Sequence, residues 1–233
     1  MEFQKLSALS LKEMFVRQIR EMILSGQLSV GSKLPPEREI AKQMQVSRAV
    51  INSGFTELEK QGFLELHSRQ GVFVADYARN GNINTLNAIM DYHGDKLGQS
   101  EIRSILDVRR ALEHLATDST IRSATEEDIF GMEVLLEAIA AAESDQEAID
   151  AVFAFHHRLS VISQNSIMPL IYVSFKPVVT QLWKRFCIRY GRVALYNNTL
   201  SLYKCLKDRD IEAARRYTDR CLDAALIGDQ QIF

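Results

Sequence analysis

Three arginines stand where a chain could meet a phosphate backbone. Arg38 follows Pro35, Pro36 and Glu37 in "KLPPEREI", Arg48 comes directly after Ser47 in "VSRAVINSGF", and Arg69 lies in "SRQG" between two alternating runs, "FLELH" and "GVFVA". A guanidinium is a rigid fork of donors that fits phosphate oxygens and the O6/N7 edge of guanine. Placed at a helix start, it adds to the free N–H groups and positive dipole end that already attract phosphate. The chemistry on offer is recognition by positioned cations. For catalysis the sequence offers no nucleophile–base pair and no acidic dyad at a meaningful spacing, so we expect no enzyme.

The elements around these arginines can be read from spacing. Ser10 and Glu13 have the interval of a capping box, and Leu11, Phe15, Ile19, Met22 and Ile23 then follow one helical face until Gly26. Pro35 and Pro36 stiffen the next loop and place Glu37 and Arg38 in the first turn of a helix from about Pro36 to Met44. Ser47 caps a further helix from Arg48 to about Gln61, with Val50, Ile51, Phe55 and Leu58 apolar and Gly62 ending it. A two-stranded hairpin follows. Helix, helix, turn, helix and hairpin make a winged helix-turn-helix, whose third helix fits the major groove of B-DNA with its N-terminal residues at the base edges and whose wing lies beside it.

Composition limits how such a module could work. The chain has 233 residues, 46% hydrophobic and 25% charged, the proportions of an ordinary globular protein. With a net charge of −2, any nucleic-acid binding must come from a local basic patch. The three cysteines, Cys187, Cys205 and Cys221, are widely spaced and include no Cys-x-x-Cys pair, which points away from a disulfide framework or a zinc site. With no signal-type N-terminus and no long apolar run, the expected location is the cytoplasm, with no membrane partner.

The stretch "GSKLPPEREIAKQMQVSRAVINSGFTELEKQGFLELHSRQGVFV" resembles the DNA-binding domain of the GntR family of bacterial transcription regulators. The resemblance covers about residues 11 to 75 and implies that Arg38, Ser47, Arg48, Ala49, Val50, Arg69 and Gly71 contact or approach DNA. At two places the chain departs from the family pattern. Asn52 stands where the family has a second arginine in the recognition helix, and it can still hydrogen-bond a base, often adenine. Gly54 lies inside that helix at a cost of about 1 kcal/mol relative to Ala.

From about Gln99 the sequence reads as successive helices. "EIRSILDVRRALEHLATDSTIRSA" has an apolar face of Ile102, Ile105, Leu106, Leu112 and Leu115, and "TEEDIFGMEVLLEAIAAA" starts with a cap at Thr125. After "QEAIDAVFAFHHRLSVIS" comes "IMPLIYVSFKPVVTQLWKRFCIRYGR", in which Pro177 should kink the helix. "ALYNNTLSLYKCLKD" and "DIEAARRYTDRCLDAALIG" close the chain. "DVRRALEHLA", "FHHRLSVISQN" and "LKDRDIEAARRYTDRCLDAA" resemble the effector domain of the FadR subfamily, in which some members bind a divalent metal through one aspartate and three histidines and others bind ligand without it. Carried over, those four positions are Val152, His156, Thr199 and Cys221, so only His156 retains a ligating residue of the family set and the metal site is read as absent. A thiophilic ion between Cys221 and His156 is the remaining metal alternative. The resemblance implies effector-pocket roles for Arg109, His156 and Tyr190. Arg109 could instead be a surface arginine paired with Glu113, and Trp183 and Phe186 read as core.

The expectation is therefore a mainly α protein. A winged helix-turn-helix at 1–75 is followed by a linker and first short helix at 76–98, and an all-helical effector-binding and dimerisation bundle at 99–233. The function implied is a ligand-responsive transcription regulator, a repressor on the leading reading. As a homodimer it would bind a near-palindromic double-stranded operator, with a small anionic effector and no cofactor. A DNA-binding regulator whose helical domain only dimerises is the alternative.

Overall fold

The computed structural model describes residues 9–93 and 97–232, which fall into two compact units divided between Tyr92 and His93.

The first unit is the winged helix-turn-helix. Helix α1 (Leu11–Leu24) starts at the capping box, where Glu13 N donates to Ser10 Oγ at 3.2 Å and Ser10 N to Glu13 Oε2 at 2.7 Å. Helix α2 (Glu37–Met44) ends at Gln45 in the left-handed conformation, and α3 (Arg48–Lys60) begins at Ser47, whose Oγ accepts from Val50 N at 3.3 Å. Strands β1 (Leu64–His67) and β2 (Gly71–Val74) pair antiparallel, from Leu64 opposite Val74 to His67 opposite Gly71. The loop before α2 extends this ribbon: Leu34 N donates to Val72 O at 2.9 Å and Lys33 bridges to Phe73. One apolar core of Phe15, Ile19, Ile51, Phe55, Leu58 and Phe63 holds the helices to the wing.

Gly54 owes its place to that core. A Cβ there would lie 2.2 Å from Cδ1 of Phe15, so the bare backbone lets α1 close against α3. The stretch after the wing, expected as a linker and first short helix, forms α4 (Tyr77–Asn80) and α5 (Ile83–His93). Asn82 Nδ2 donates to Lys60 O at 3.2 Å and Thr85 Oγ1 to Gln61 O at 2.6 Å, so these side chains cap the end of α3 from outside.

The second unit is all-helical: α6 (Gln99–Ser123), α7 (Glu126–Phe130), α8 (Glu133–Ala141), α9 (Asp145–Ile162), α10 (Met168–Lys207) and α11 (Ile211–Leu226). The expected single helix after Thr125 is two, broken at Gly131–Met132. Inside α10 the non-helical residue is Gly191 (φ 78°, ψ 167°) and not Pro177. Only a glycine takes that conformation at low cost, whereas a proline needs only the loss of one hydrogen bond and a modest bend. In α6 the buried stripe also differs from the expected apolar face. Leu115 is 49% exposed, while Glu113, Thr117, Asp118 and Thr120 are buried. Among the described residues no helix is long and apolar enough to cross a membrane.

Candidate functional site

In the first unit a cleft of about 650 Å³ opens between the start of α2, the start of α3 and the wing, and Lys33, Arg38, Arg48 and Arg69 all line it. The three arginines picked out by spacing thus converge. None of the ion pairs among the described residues involves Arg38, Arg48 or Arg69, so their donors are open to an anion. Lys33, which sequence reasoning passed over, sits over the Phe73 ring with Nζ 5.7 Å from its centroid. It reaches the cleft because the loop carrying it joins the wing.

The remaining residues of this surface divide by what they do locally. Ser47 uses its hydroxyl on the α3 cap, and Ala49 is exposed beside Arg48 while Val50 is half-buried. Arg69 occupies the wing turn at φ 65°, a left-handed backbone that costs about 1 kcal/mol or more for a residue with a Cβ. Gly71, at φ 114°, has a backbone that a residue with a Cβ adopts only under strain; the Lys33 Cε, 2.8 Å from where a Cβ would lie, is the movable end of a flexible side chain. Asn52 is exposed on α3 and its amide lies against the Glu37 carboxylate.

In the second unit a cavity of about 50 Å³ lies between α6, α9, α10 and α11. Arg109, Glu113, His156, Trp183, Tyr217 and Cys221 supply its polar and aromatic wall, with Val152 and Thr199 also lining it. Arg109 is no surface residue. Its Nε lies 2.6 Å from Glu113 Oε1, Glu113 is buried and Arg109 largely so, and the guanidinium sits 5.0 Å from the Trp183 ring centroid. Burial works against both charges, but their attraction outweighs it, leaving the Arg109 pKa raised and the Glu113 pKa lowered.

His156 stacks on the other contact of Trp183, ring centroids 5.4 Å apart, and its Nδ1 stands 3.6 Å from Glu113 Oε1 without a hydrogen bond. Burial holds its pKa down at about 4, partly opposed by Glu113, so the ring is neutral near pH 7. Tyr172, buried on α10 with an unpartnered hydroxyl, is pushed up by burial and by Glu113. Among the described residues no three His, Cys, Asp or Glu side chains converge on a point.

Tyr190 is placed differently. It does not line the cavity; its hydroxyl donates to Gln231 O at 2.8 Å, next to Ile232, which does. Trp183 and Phe186 are buried, as a core reading requires, and they also form cavity wall. On α11, Arg215 Nε donates to Asp118 Oδ1 at 3.0 Å, and Tyr217 reaches into the cavity while its hydroxyl donates to Asn198 O at 2.9 Å. Arg110 pairs with Asp219 and Asp223 at 2.7 and 2.6 Å, tying α6 to α11 beneath the cavity.

Comparison with known proteins agrees with both halves. The family model described as "Bacterial regulatory proteins, gntR family" matches residues 11–74, and the FCD domain model matches residues 104–224. The HTH-type transcriptional regulator LutR of Bacillus subtilis (strain 168) is 27% identical over 148 residues, covering 63% of this chain and 65% of that protein. The Uxu operon transcriptional regulator of Escherichia coli (strain K12) is 30% identical over 155 residues, covering 64% of this chain and 57% of that one. The matched region is therefore less than two thirds of these relatives' own length. A solved structure described as Lar, which "controls the expression of the Listeria monocytogenes agr system", superposes with a TM-score of 0.66 at 16% identity over 96% of this chain and 98% of that one, a likeness of fold. With a GntR-type winged helix-turn-helix followed by an FCD domain, the chain belongs to the GntR family of bacterial regulatory proteins.

Proposed function

We propose that this chain is a ligand-responsive transcription regulator that binds an operator through its first unit and a small anionic metabolite, of carboxylate or acyl-CoA type, in its second. The observation that carries the DNA reading is the convergence of Lys33, Arg38, Arg48 and Arg69 on one cleft with the three arginines outside every ion pair of the described residues. In this reading α3 enters the major groove, Arg48 meets a base edge, and Arg38, Arg69 and Lys33 hold phosphates. Ser47, Ala49, Val50 and Gly71 shape the approach, and Asn52 faces the bases from the next turn of α3.

The domain division proposed is DNA binding at 1–75, a connecting segment at 76–98 and ligand binding with dimerisation at 99–233. The protein acts in the cytoplasm as a homodimer on a near-palindromic site, since two-fold symmetry doubles the bases read. Leu170, Val173, Ile188 and Val193, all more than half exposed on the second unit, supply apolar surface for such a partner. Arg109 and His156 hold the effector, while Tyr190 acts through Gln231 on the segment that carries Ile232. No catalysis and no metal enter this reading. A regulator with a silent helical domain is favoured by the small size of the cavity, about 50 Å³.

Binding of the purified chain to duplex DNA selected from a random pool tests the proposal, with Arg48→Ala beside it. The variant is expected to lose about 1–3 kcal/mol of discrimination. Equal affinity of both proteins for selected and random DNA would remove α3 from the groove. A monomer by light scattering, free and on DNA, would remove the palindrome.

A further inference from the structure

The cationic cleft contains one carboxylate whose neighbours are unusual. Glu37 stands at the first residue of α2 between Pro36 and Arg38, lines the same cleft as Arg48, and is exposed. With several guanidinium groups at hand, an ion pair would be the ordinary outcome, yet none of the ion pairs among the described residues includes Glu37. Its partner is a neutral amide. Oriented so that donor meets acceptor, Asn52 Nδ2 lies 2.7 Å from Glu37 Oε2 and 2.8 Å from Oε1. The opposite orientation would set the amide oxygen against the carboxylate, acceptor against acceptor.

This contact changes what the second turn of α3 offers to DNA. Asn52 follows Arg48 by four residues, so the two side chains share one face of the helix. A free asparagine presents a donor and an acceptor together and matches adenine N7 and N6 at once. Here the donor side is turned to Glu37. What remains is the Asn52 Oδ1 and the free lone pairs of a carboxylate that has no hydrogen to give.

We propose that Glu37 and Asn52 form one acceptor element that selects a base whose exocyclic amino group faces the major groove, adenine N6 or cytosine N4, and rejects guanine, whose amino group lies in the minor groove, at that position of the contacted strand. Glu37 is the specificity-determining residue and Asn52 the positioning residue that keeps its carboxylate off the arginines. The inference rests on the placement of α3 in the major groove. The amino groups of adenine and cytosine are major-groove donors and satisfy the carboxylate, whereas guanine shows only O6 and N7, both acceptors. Guanine opposite Glu37 sets its O6 and N7 acceptors against the desolvated remaining lone pairs of the carboxylate. Arg48, all donors, has the reverse preference, so Arg48 on α3 and the Glu37–Asn52 pair across α2 and α3 carry the two halves of a two-base code. The same carboxylate repels phosphate and therefore lowers affinity for DNA of any sequence.

The test is selection of the full-length chain, Glu37→Gln, Asn52→Ala and Arg48→Ala on a random duplex library, read by sequencing, with affinities for the selected site and for random DNA. All three side chains are exposed, and equal melting temperatures serve as the check on folding. For the unaltered chain, one position of each half-site should show guanine depleted by about tenfold on the contacted strand. Glu37→Gln should relax that position alone, to less than about threefold, and should tighten binding to random DNA. Asn52→Ala should blur the same position and leave the base read by Arg48 unchanged. Unaltered preference at every position in Glu37→Gln, or an even loss of affinity across all sequences, would overturn the inference with the groove placement intact. Arg48→Ala without effect on any DNA would instead remove the placement itself.

Discussion

Arg109 and Glu113 face each other across one turn of α6, 2.6 Å apart, with the Trp183 ring against the guanidinium and the unpartnered Nδ1 of His156 beside the carboxylate. Glu113 is buried and Arg109 largely so. The arginine proposed to hold an anionic ligand is thus already neutralised by the chain itself, and its removal has two consequences.

Arg109→Ala should abolish the response to ligand and also destabilise the second unit by about 3–5 kcal/mol, because the Glu113 carboxylate is left buried and unpaired. Replacing both partners, Arg109→Met with Glu113→Leu, should recover most of that loss while leaving the ligand response absent. Urea unfolding of the two variants, with operator affinity as the control, separates a ligand-binding arginine from a structural one. A single variant as stable as the parent would contradict the buried pair.

Stability should fall with acid in a window set by His156. Its folded pKa, about 4, lies below the ordinary 6.5. Below pH 6.5 the unfolded chain takes up a proton that the folded chain refuses, so stability declines as the pH drops from 6.5 towards 4 and the contribution levels off below that. The full difference corresponds to about 3 kcal/mol. Denaturation across pH 4 to 7 should give a shallower decline for His156→Gln than for the unaltered chain, and parallel curves would show that the ring titrates freely in the fold.

Gly54→Ala should destabilise the first unit although Ala is the better helix former by about 1 kcal/mol. The added Cβ falls 2.2 Å from the Phe15 ring, which must shift within a closed core. Overpacking of this kind costs about 1–3 kcal/mol, so the net effect should be a lower melting temperature. Combining it with Phe15→Leu should restore part of the loss, and additive effects of the two substitutions would argue against contact.

Arg69→Gly should separate stability from DNA binding. Glycine accepts the left-handed backbone at φ 65°, so the melting temperature should hold or rise. One phosphate contact is lost, so affinity should fall on all sequences alike and the slope of log affinity against log salt should drop by about 1. A sequence-selective loss would instead place Arg69 on a base edge.

The first unit was legible in the sequence because its signals are local. The Ser10–Glu13 box, the Ser47 cap, the alternation through "FLELH" and "GVFV" and the apolar spacing of α3 each act within a few residues, so they specify elements without knowledge of partners. The order of those elements then fixed the winged helix-turn-helix. Helix positions in the second unit followed in the same way, including the division at Gly191 between "FCIRYGR" and "ALYNN", apart from the break at Gly131 and the expected kink at Pro177, where the helix continues.

What only tertiary structure decided is which polar groups face one another. Glu113 and His156 are 43 positions apart in the chain, yet they and Trp183 form one wall. Nothing in the spacing of α6 marks Glu113 as buried, because a charge is tolerated inside only when a partner from elsewhere satisfies it. The same holds for Gly54, which reads as a flaw in a helix until Phe15 occupies its missing Cβ. It holds again for Asn52, a base-reading amide by sequence that the fold turns onto Glu37. Local propensity and hydrophobic period are written along the chain, but burial, charge pairing and close approach depend on which segments the fold brings together, and only the assembled core supplies them.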